Sequence, residues 1–207
     1  VISAAEQSAS ARLGGVLFRN RGWLPVPFLL VPLLAPGRPT PTTLVVGLLL
    51  VALGEAWRLW GIAAAGTVTR RRGRDVQRLV TYGAFGWSRN PLYNGNFLLW
   101  IGFVVLSGVL WFVPVAAVVF AIEYSLIVAY EEGVLESIFG AEYLAYKART
   151  PRWLPRPPAD RTAGAHDWGE AIVSERDTVL AYVVIGALFW AKARWLPAPL
   201  AALMGGG

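Results

Sequence analysis

Polar residues are nearly absent from three long stretches of this chain, 42–65, 91–110 and 111–130. Each is close to the roughly 20 apolar residues that a helix needs to cross the hydrocarbon core of a bilayer. Residues 24–35 are as apolar but contain Pro25, Pro27 and Pro32, so a first span starting near Val16 is expected to be kinked. Pro41 opens the second span, where its missing backbone donor costs nothing. The third and fourth spans are separated by so little polar sequence that they must form a tight antiparallel hairpin. A last apolar stretch, 178–191, ends at Lys192 and Arg194, and is either a fifth span continued through Leu203 or a re-entrant or interfacial helix. The pattern predicts an all-α, polytopic integral membrane protein with about five transmembrane helices in one membrane domain, 1–207.

Composition agrees. Of 207 residues 56% are hydrophobic and 15% charged, against about 25% charged in soluble domains. The absence of cysteine excludes disulfides, thiolate catalysis and zinc–thiolate sites. Residues 1–10 lack the basic and apolar regions of a cleavable signal and read as a polar tail; Gly205 to Gly207 read as a flexible end. The net charge of +6 is explained by where the cations fall. With the N-terminus inside, the cytoplasmic segments hold Arg12, Arg19 and Arg21, then Arg70, Arg71, Arg72, Arg74, Arg78 and Arg89, then Lys147, Arg149, Arg152, Arg156, Arg161 and Arg176. The opposite side keeps only Arg38 before the last helix. This asymmetry orients the chain and sets its cations against anionic headgroups, at about 1 kcal/mol each, so no nucleic-acid partner is needed. The expectation is a prokaryotic inner or plasma membrane, with N-terminus and active face cytoplasmic. No internal repeat is found; the Pro- and Arg-rich piece 151–161 reads as an irregular strap.

Several residues inside this apolar frame carry chemistry. Glu55 and Arg58 lie three apart in the second span and share a face; ionisable groups at that depth mark a functional site or a paired polar interior. Gly47, Gly54 and Gly61 recur every seventh residue and leave a smooth stripe for close helix packing. Glu123 sits within the fourth span. Glu131 and Glu132 follow at its cytoplasmic end, where the helix dipole disfavours them, so each needs a compensating cation: an Arg of the basic loops or the cationic part of a ligand. Adjacent residues project about 100° apart on a helix, so one carboxylate can face a ligand while the other holds Arg. Asn90 and Pro91 suit a helix start. Helix entry does not explain Arg89, Tyr93, Asn94 and Asn96, of which Tyr93 and Asn96 form one polar face at the lip of an oily segment. The combination suits a polar ligand bearing a carboxylate or phosphate, lowered from the cytoplasm into the membrane boundary. His166, the only histidine, reads as a solvated loop residue beside Asp167, and one His among scattered carboxylates does not make a metal site. There is no P-loop, dinucleotide fingerprint or catalytic triad pattern.

Three motifs carry a resemblance. LVTYGAFGWSRNPLYNG at 79–95, EEGVLESIFGAEYLAY at 131–146 and RTPRWLP at 149–155 resemble the isoprenylcysteine carboxyl methyltransferase and phospholipid methyltransferase superfamily, whose pattern is roughly LVxxGPYxxxRHPxYxG, then EExxLxxxFGxxYxxY, then PRxxP. On this resemblance 1–78 holds N-terminal spans and a basic loop, 79–155 the methyltransferase-like core, and 156–207 a C-terminal segment and the last helix. It implies S-adenosylmethionine as cofactor, bound by a cytoplasmic segment between the fourth span and the last helix, and a lipophilic methyl acceptor arriving from the bilayer. Catalytic roles fall to Arg89, Glu131 and Glu132. Cofactor contacts fall to Tyr82, Gly83, Asn90, Pro91, Tyr93, Glu131, Glu132, Phe139, Tyr143 and Tyr146, with Arg89 or helix-start donors for the cofactor's carboxylate and Phe139 or Trp153 near adenine. Glu55, Arg58, Asn96 and Glu123 form the expected acceptor pocket. Asn90 stands where the family carries His, and since Asn does not titrate near neutrality, a proton-shuttle role there is disfavoured while one in holding cofactor survives.

The acceptor nucleophile is either a carboxylate, as on a prenylated cysteine, or an amine, as on a phospholipid headgroup; an amine needs a base, which only Glu131, Glu132 or Glu123 offer. Two other classes stand beside this reading. A sterol-type membrane reductase would use NADPH, with a proton-donor Tyr and basic residues at its phosphate, for which Arg70 to Arg74 could be misread. A transporter or scaffold would use Glu55, Arg58 and Glu123 without binding a cofactor.

Overall fold

The computed structural model describes residues 9–66, 78–158 and 163–195. Among them the secondary structure is helical, without strands: α1 (Ala9–Asn20), α2 (Pro25–Leu34), α3 (Pro41–Ala65), α4 (Ala84–Trp87), α5 (Pro91–Leu106), α6 (Phe112–Phe139), α7 (Ala141–Arg149) and α8 (Trp168–Trp195). The tail 1–8, Arg70 to Arg74, Arg161, Leu203 and Gly205 to Gly207 lie outside the described residues.

Helix ends follow local chemistry. Thr40 caps α3 in a reciprocal box, accepting from Thr43 N at 3.2 Å while its own N–H reaches Thr43 Oγ1 at 2.8 Å, with Pro41 in the first turn. Asp167 Oδ1 accepts from Glu170 N at 2.8 Å and starts α8. Between α6 and α7 the chain turns on Gly140, whose φ of 51° is open to glycine without strain.

Three boundaries differ from the expectations. The first apolar segment is two helices, parted by a turn at 21–24 in which Trp23 N reaches Asn20 O and Val26 N reaches Trp23 O; Pro25 then begins α2, since proline starts a helix more readily than it continues one. The α5–α6 hairpin turns at 107–111 rather than at a single junction, because Ser107 takes its hydroxyl to Val104 O at 2.7 Å and Gly108 sits at φ 74°. The last helix begins at Trp168 and runs unbroken for 28 residues.

The closest packing is between α3 and α5, and it is backbone against backbone. A Cβ on Gly54 would lie 2.8 Å from Gly95 O, and one on Gly47 2.9 Å from Gly102 O. The glycines of α5 are thus seven apart like those of α3, in antiparallel register. Without side chains between them the helices gain dispersion contacts along their whole length. Around this pair, α1 crosses α6, with Phe18 against Tyr130 at 5.6 Å. α8 lies along α3 and α2. Its start bonds the end of α3 through Asp167 N→Ala63 O at 2.9 Å, and near its other end Lys192 Nζ donates to Pro32 O at 2.6 Å. Helix α8 therefore traverses the bundle. α3 and α6 are long and apolar enough to cross a membrane, and α2 and α5 are shorter apolar helices. Leu48, Leu49 and Leu53 on α3 and Leu180, Val183 and Val184 on α8 are exposed, an outward belt suited to lipid.

Candidate active site

The polar lip of α5 is held by a strap. Residues 150–156 lie across 87–94, with Arg89 N→Pro151 O at 2.9 Å and Arg156 N→Trp87 O at 3.0 Å. Side chains tie the same pieces: Asn90 Nδ2 donates to Arg152 O at 3.0 Å, Asn94 Nδ2 to Trp153 O at 2.8 Å and Ser88 Oγ to Arg152 O at 3.2 Å. Asn90 occupies the N-cap position of α5 but makes no side-chain cap; its amide serves the strap instead.

Glu132 is the anchor. It is buried and bonds Arg89 through Nη2 at 2.9 Å and Nε at 3.1 Å, and it also holds Arg152. Arg89 Nη1 donates to Lys147 O at 2.7 Å and Thr150 O at 3.0 Å. The hydrogen bond to Glu132 raises the Arg152 pKa above its ordinary value, so Arg152 stays charged. Lys147 pairs with Glu136 and ties α7 back to α6. Burial pushes the Tyr143 and Tyr146 hydroxyls well above the usual tyrosine range, so both are neutral, and Tyr146 donates to Phe85 O at 2.7 Å.

Beneath the strap lies a cavity of about 920 Å³. One end is polar, with Asn90, Pro91, Tyr93, Glu131, Tyr143 and Tyr146; Arg21 and Arg78 border it. The Tyr93 hydroxyl faces Glu131. The other end is apolar, between Phe28, Leu29 and Pro32 of α2, Leu99 and Phe103 of α5 and Ile185 of α8. Where they join, Arg58, Asn96, Tyr124, Glu175 and Tyr182 form the wall. Arg58 Nη2 meets Glu175 Oε2 at 2.9 Å, its Nε lies 3.3 Å from Glu55 Oε2, and Nη1 donates to Asn96 Oδ1. Tyr182 Oη donates to Glu55 Oε2 at 3.0 Å.

Residues 42–142, from α3 to the start of α7, match the phospholipid methyltransferase family. The match covers just under half of the chain. Curated relatives align over a similar length. A cobalt-zinc-cadmium resistance protein of Cupriavidus metallidurans is 33% identical over 117 residues, 56% of this chain and 51% of its own. The protein-S-isoprenylcysteine O-methyltransferase of Mus musculus is 36% identical over 53% of this chain and 40% of its own, and the B form of Arabidopsis thaliana 32% identical over 53% and 57%. The chain thus spans about half the length of these relatives. No solved structure matches.

Within and beside residues 42–142 the expected residues separate into groups. Asn90, Pro91, Tyr93, Glu131, Glu132, Tyr143 and Tyr146 converge on the polar end, and Arg58 and Asn96 on the wall. Arg89 reaches the cavity too, but its guanidinium is spent on Glu132 and two carbonyls, which leaves it no fork for a cofactor's carboxylate. Tyr82 and Gly83 lie off the cavity: the Tyr82 hydroxyl bonds Ala64 O and Ala165 O, and a Cβ on Gly83 would meet His166 Nε2 at 2.6 Å. Phe139 ends α6 away from the lining, and Trp153 packs against the Tyr93–Tyr124 cluster, so neither lines the cavity; besides the tyrosines already named, Phe85, Trp100 and Tyr130 do. Glu55 sits behind Arg58, and Glu123 is buried off the cavity with Oε1 lacking a hydrogen-bond partner among the described residues. Sequence reasoning missed Glu175, Tyr182 and Tyr124. Glu175 stands in the charged run Ser174-Glu175-Arg176-Asp177, which reads as a solvated helix segment, so no signal in the sequence singled it out. Among the described residues no cluster of His, Asp or Glu is arranged to hold a metal.

Proposed function

We propose that this protein transfers a methyl group from S-adenosylmethionine to a lipophilic acceptor at the cytoplasmic face of a membrane. The observation that carries the reading is a single cavity with two linings, polar under the strap of the family core and apolar between α2, α5 and α8. Its volume lies near the top of the roughly 300–1,000 Å³ of small-molecule sites, room for a cofactor and the head of an acceptor together.

The polar end fits the cofactor by charge. Glu131 and the rings of Tyr93, Tyr143 and Tyr146 would face its ammonium and sulfonium, and Arg21 and Arg78 would stand toward its carboxylate. When bound, it supplies an electrophilic methyl group. The chain's own work is alignment and exclusion of water. Tyr93 orients the Glu131 carboxylate, while Glu132, Arg89 and Arg152 hold the strap that closes the polar end. The acceptor is an isoprenylcysteine-like carboxylate or a phospholipid amine, a reading supported by the names of the relatives, which give isoprenylcysteine, and of the family, which gives phospholipid.

In this reading α3, α5, α6 and α8 are spans with the strap side cytoplasmic, and the ten-residue α2 completes a fifth together with the non-helical residues 35–40 that follow it. The contacts of α8 with Ala63 at one end and Pro32 at the other support it, as does the concentration of cations on the strap side.

Calorimetric titration of the detergent-purified protein with S-adenosylhomocysteine, and separately with NADPH, tests the proposal. Saturable binding of the first alone is expected. Binding of NADPH alone would move the protein to the reductases, and binding of neither would leave a non-catalytic membrane protein.

A further inference from the structure

The residues at the junction of the two linings form a chain of contacts that begins outside the family core. Glu175 belongs to α8, beyond the matched residues 42–142, and is 1% exposed. It holds Arg58 at 2.9 Å. Glu55 holds the same guanidinium from the side of α3 and is itself bonded by Tyr182 of α8. Arg58 in turn donates through Nη1 to Asn96 Oδ1. An amide oxygen turned to Arg58 in this way points the NH2 group of the same side chain in the other direction. The Tyr124 hydroxyl faces Asn96, and its ring meets that of Tyr93 edge-on at 4.9 Å. Tyr93 faces Glu131. A continuous path therefore runs from α8 to the cofactor end, and all its members but Glu55 line the cavity.

We infer that Glu175 is a positioning residue for the acceptor, acting through Arg58 to fix the direction of the Asn96 amide. The inference rests on the transfer reading above. With Arg58 locked on its oxygen, the Asn96 amide turns one N–H to Tyr124 and the other into the cavity, where an oxygen of the acceptor's head accepts it. Glu175 touches neither ligand. Two carboxylates and one guanidinium buried at a helix interface are costly, and an apolar face of α8 would pack against α3 without them. Fixing the polarity of a cavity-lining amide is a use that an apolar face has no means to replace. Helix α8 thus sets acceptor affinity while the family core sets cofactor affinity.

The test uses the full chain in mixed micelles with tritiated S-adenosylmethionine and two acceptor probes, N-acetyl-S-farnesylcysteine and dioleoyl phosphatidylethanolamine. Glu175→Gln is expected to raise the half-saturating concentration of the accepted probe by about tenfold, the scale of one charge-assisted hydrogen bond, with S-adenosylhomocysteine affinity kept within about twofold. Asn96→Asp, which removes the donors at constant shape, should do the same. Unchanged half-saturation in Glu175→Gln, or an equal loss of S-adenosylhomocysteine affinity, overturns the positioning role. The triple variant Glu55→Gln, Arg58→Met and Glu175→Leu removes the buried charges together. Recovery of its thermal midpoint with half-saturation still raised supports positioning, and recovery of both overturns it. A wild-type protein that binds S-adenosylhomocysteine but labels neither probe overturns the acceptor classes and the positioning role with them. One that does not bind S-adenosylhomocysteine overturns the transfer reading itself.

Discussion

Glu131 and Glu132 are neighbours in sequence with different surroundings, since α6 turns about 100° between them. Glu132 points into the strap and pairs with Arg89 and Arg152; Glu131 points at Tyr93 and the cavity. Their substitutions should separate accordingly. Breaking a buried pair leaves an uncompensated charge, so Glu132→Gln should cost about 3 kcal/mol, read as a lower thermal midpoint in detergent. Glu131→Gln should leave that midpoint nearly unchanged and weaken S-adenosylhomocysteine by about tenfold, the loss of one charge-assisted contact. Equal destabilisation by both would remove the distinction. That one carboxylate would hold arginine was legible from helix geometry alone. Which arginine was not, because Arg89 and Arg152 are 43 and 20 residues away in sequence and meet Glu132 only through the strap.

At the scale of elements, the α3–α5 pair depends on glycine in a way open to direct measurement. A Cβ on Gly54 meets the backbone of α5 at 2.8 Å, and backbone gives way only if the helices part. Gly54→Val should therefore lower stability by more than about 2 kcal/mol, as overpacking does. Gly133, in α6, has nothing within 4 Å of an added Cβ; Gly133→Ala should be neutral or stabilise by up to about 1 kcal/mol through helix propensity. A tolerated Gly54→Val would show that the two helices are less closely packed than their register implies. The stripe on α3 was readable because its period belongs to one helix. Gly95 and Gly102 acquired meaning only once the antiparallel register set them opposite Gly54 and Gly47.

At the scale of the molecule, the absence of native cysteine makes the proposed orientation testable with single introduced thiols. Ser137→Cys lies near the strap end of α6 and Trp111→Cys at the α5–α6 turn, both exposed positions. A membrane-impermeant maleimide should label Trp111→Cys in intact cells and Ser137→Cys only in inverted vesicles. Labelling of both from one side would refute the spanning arrangement. Charge predicts the same polarity independently, because arginines concentrated on one side resist translocation.

The sequence by itself determined the apolar helices, their alternating direction, the polar lip at Arg89 to Asn96 and the family motifs, because each is written in contiguous residues and in the cost of exposing polar backbone to lipid. Tertiary structure alone decided that Arg89 is a clasp rather than a free cation, that Tyr82 and Gly83 face away from the cavity, and that Glu175 and Tyr182 complete its wall. These outcomes depend on contacts between segments more than 40 residues apart, where burial forces every charge and donor to find a partner wherever packing brings one.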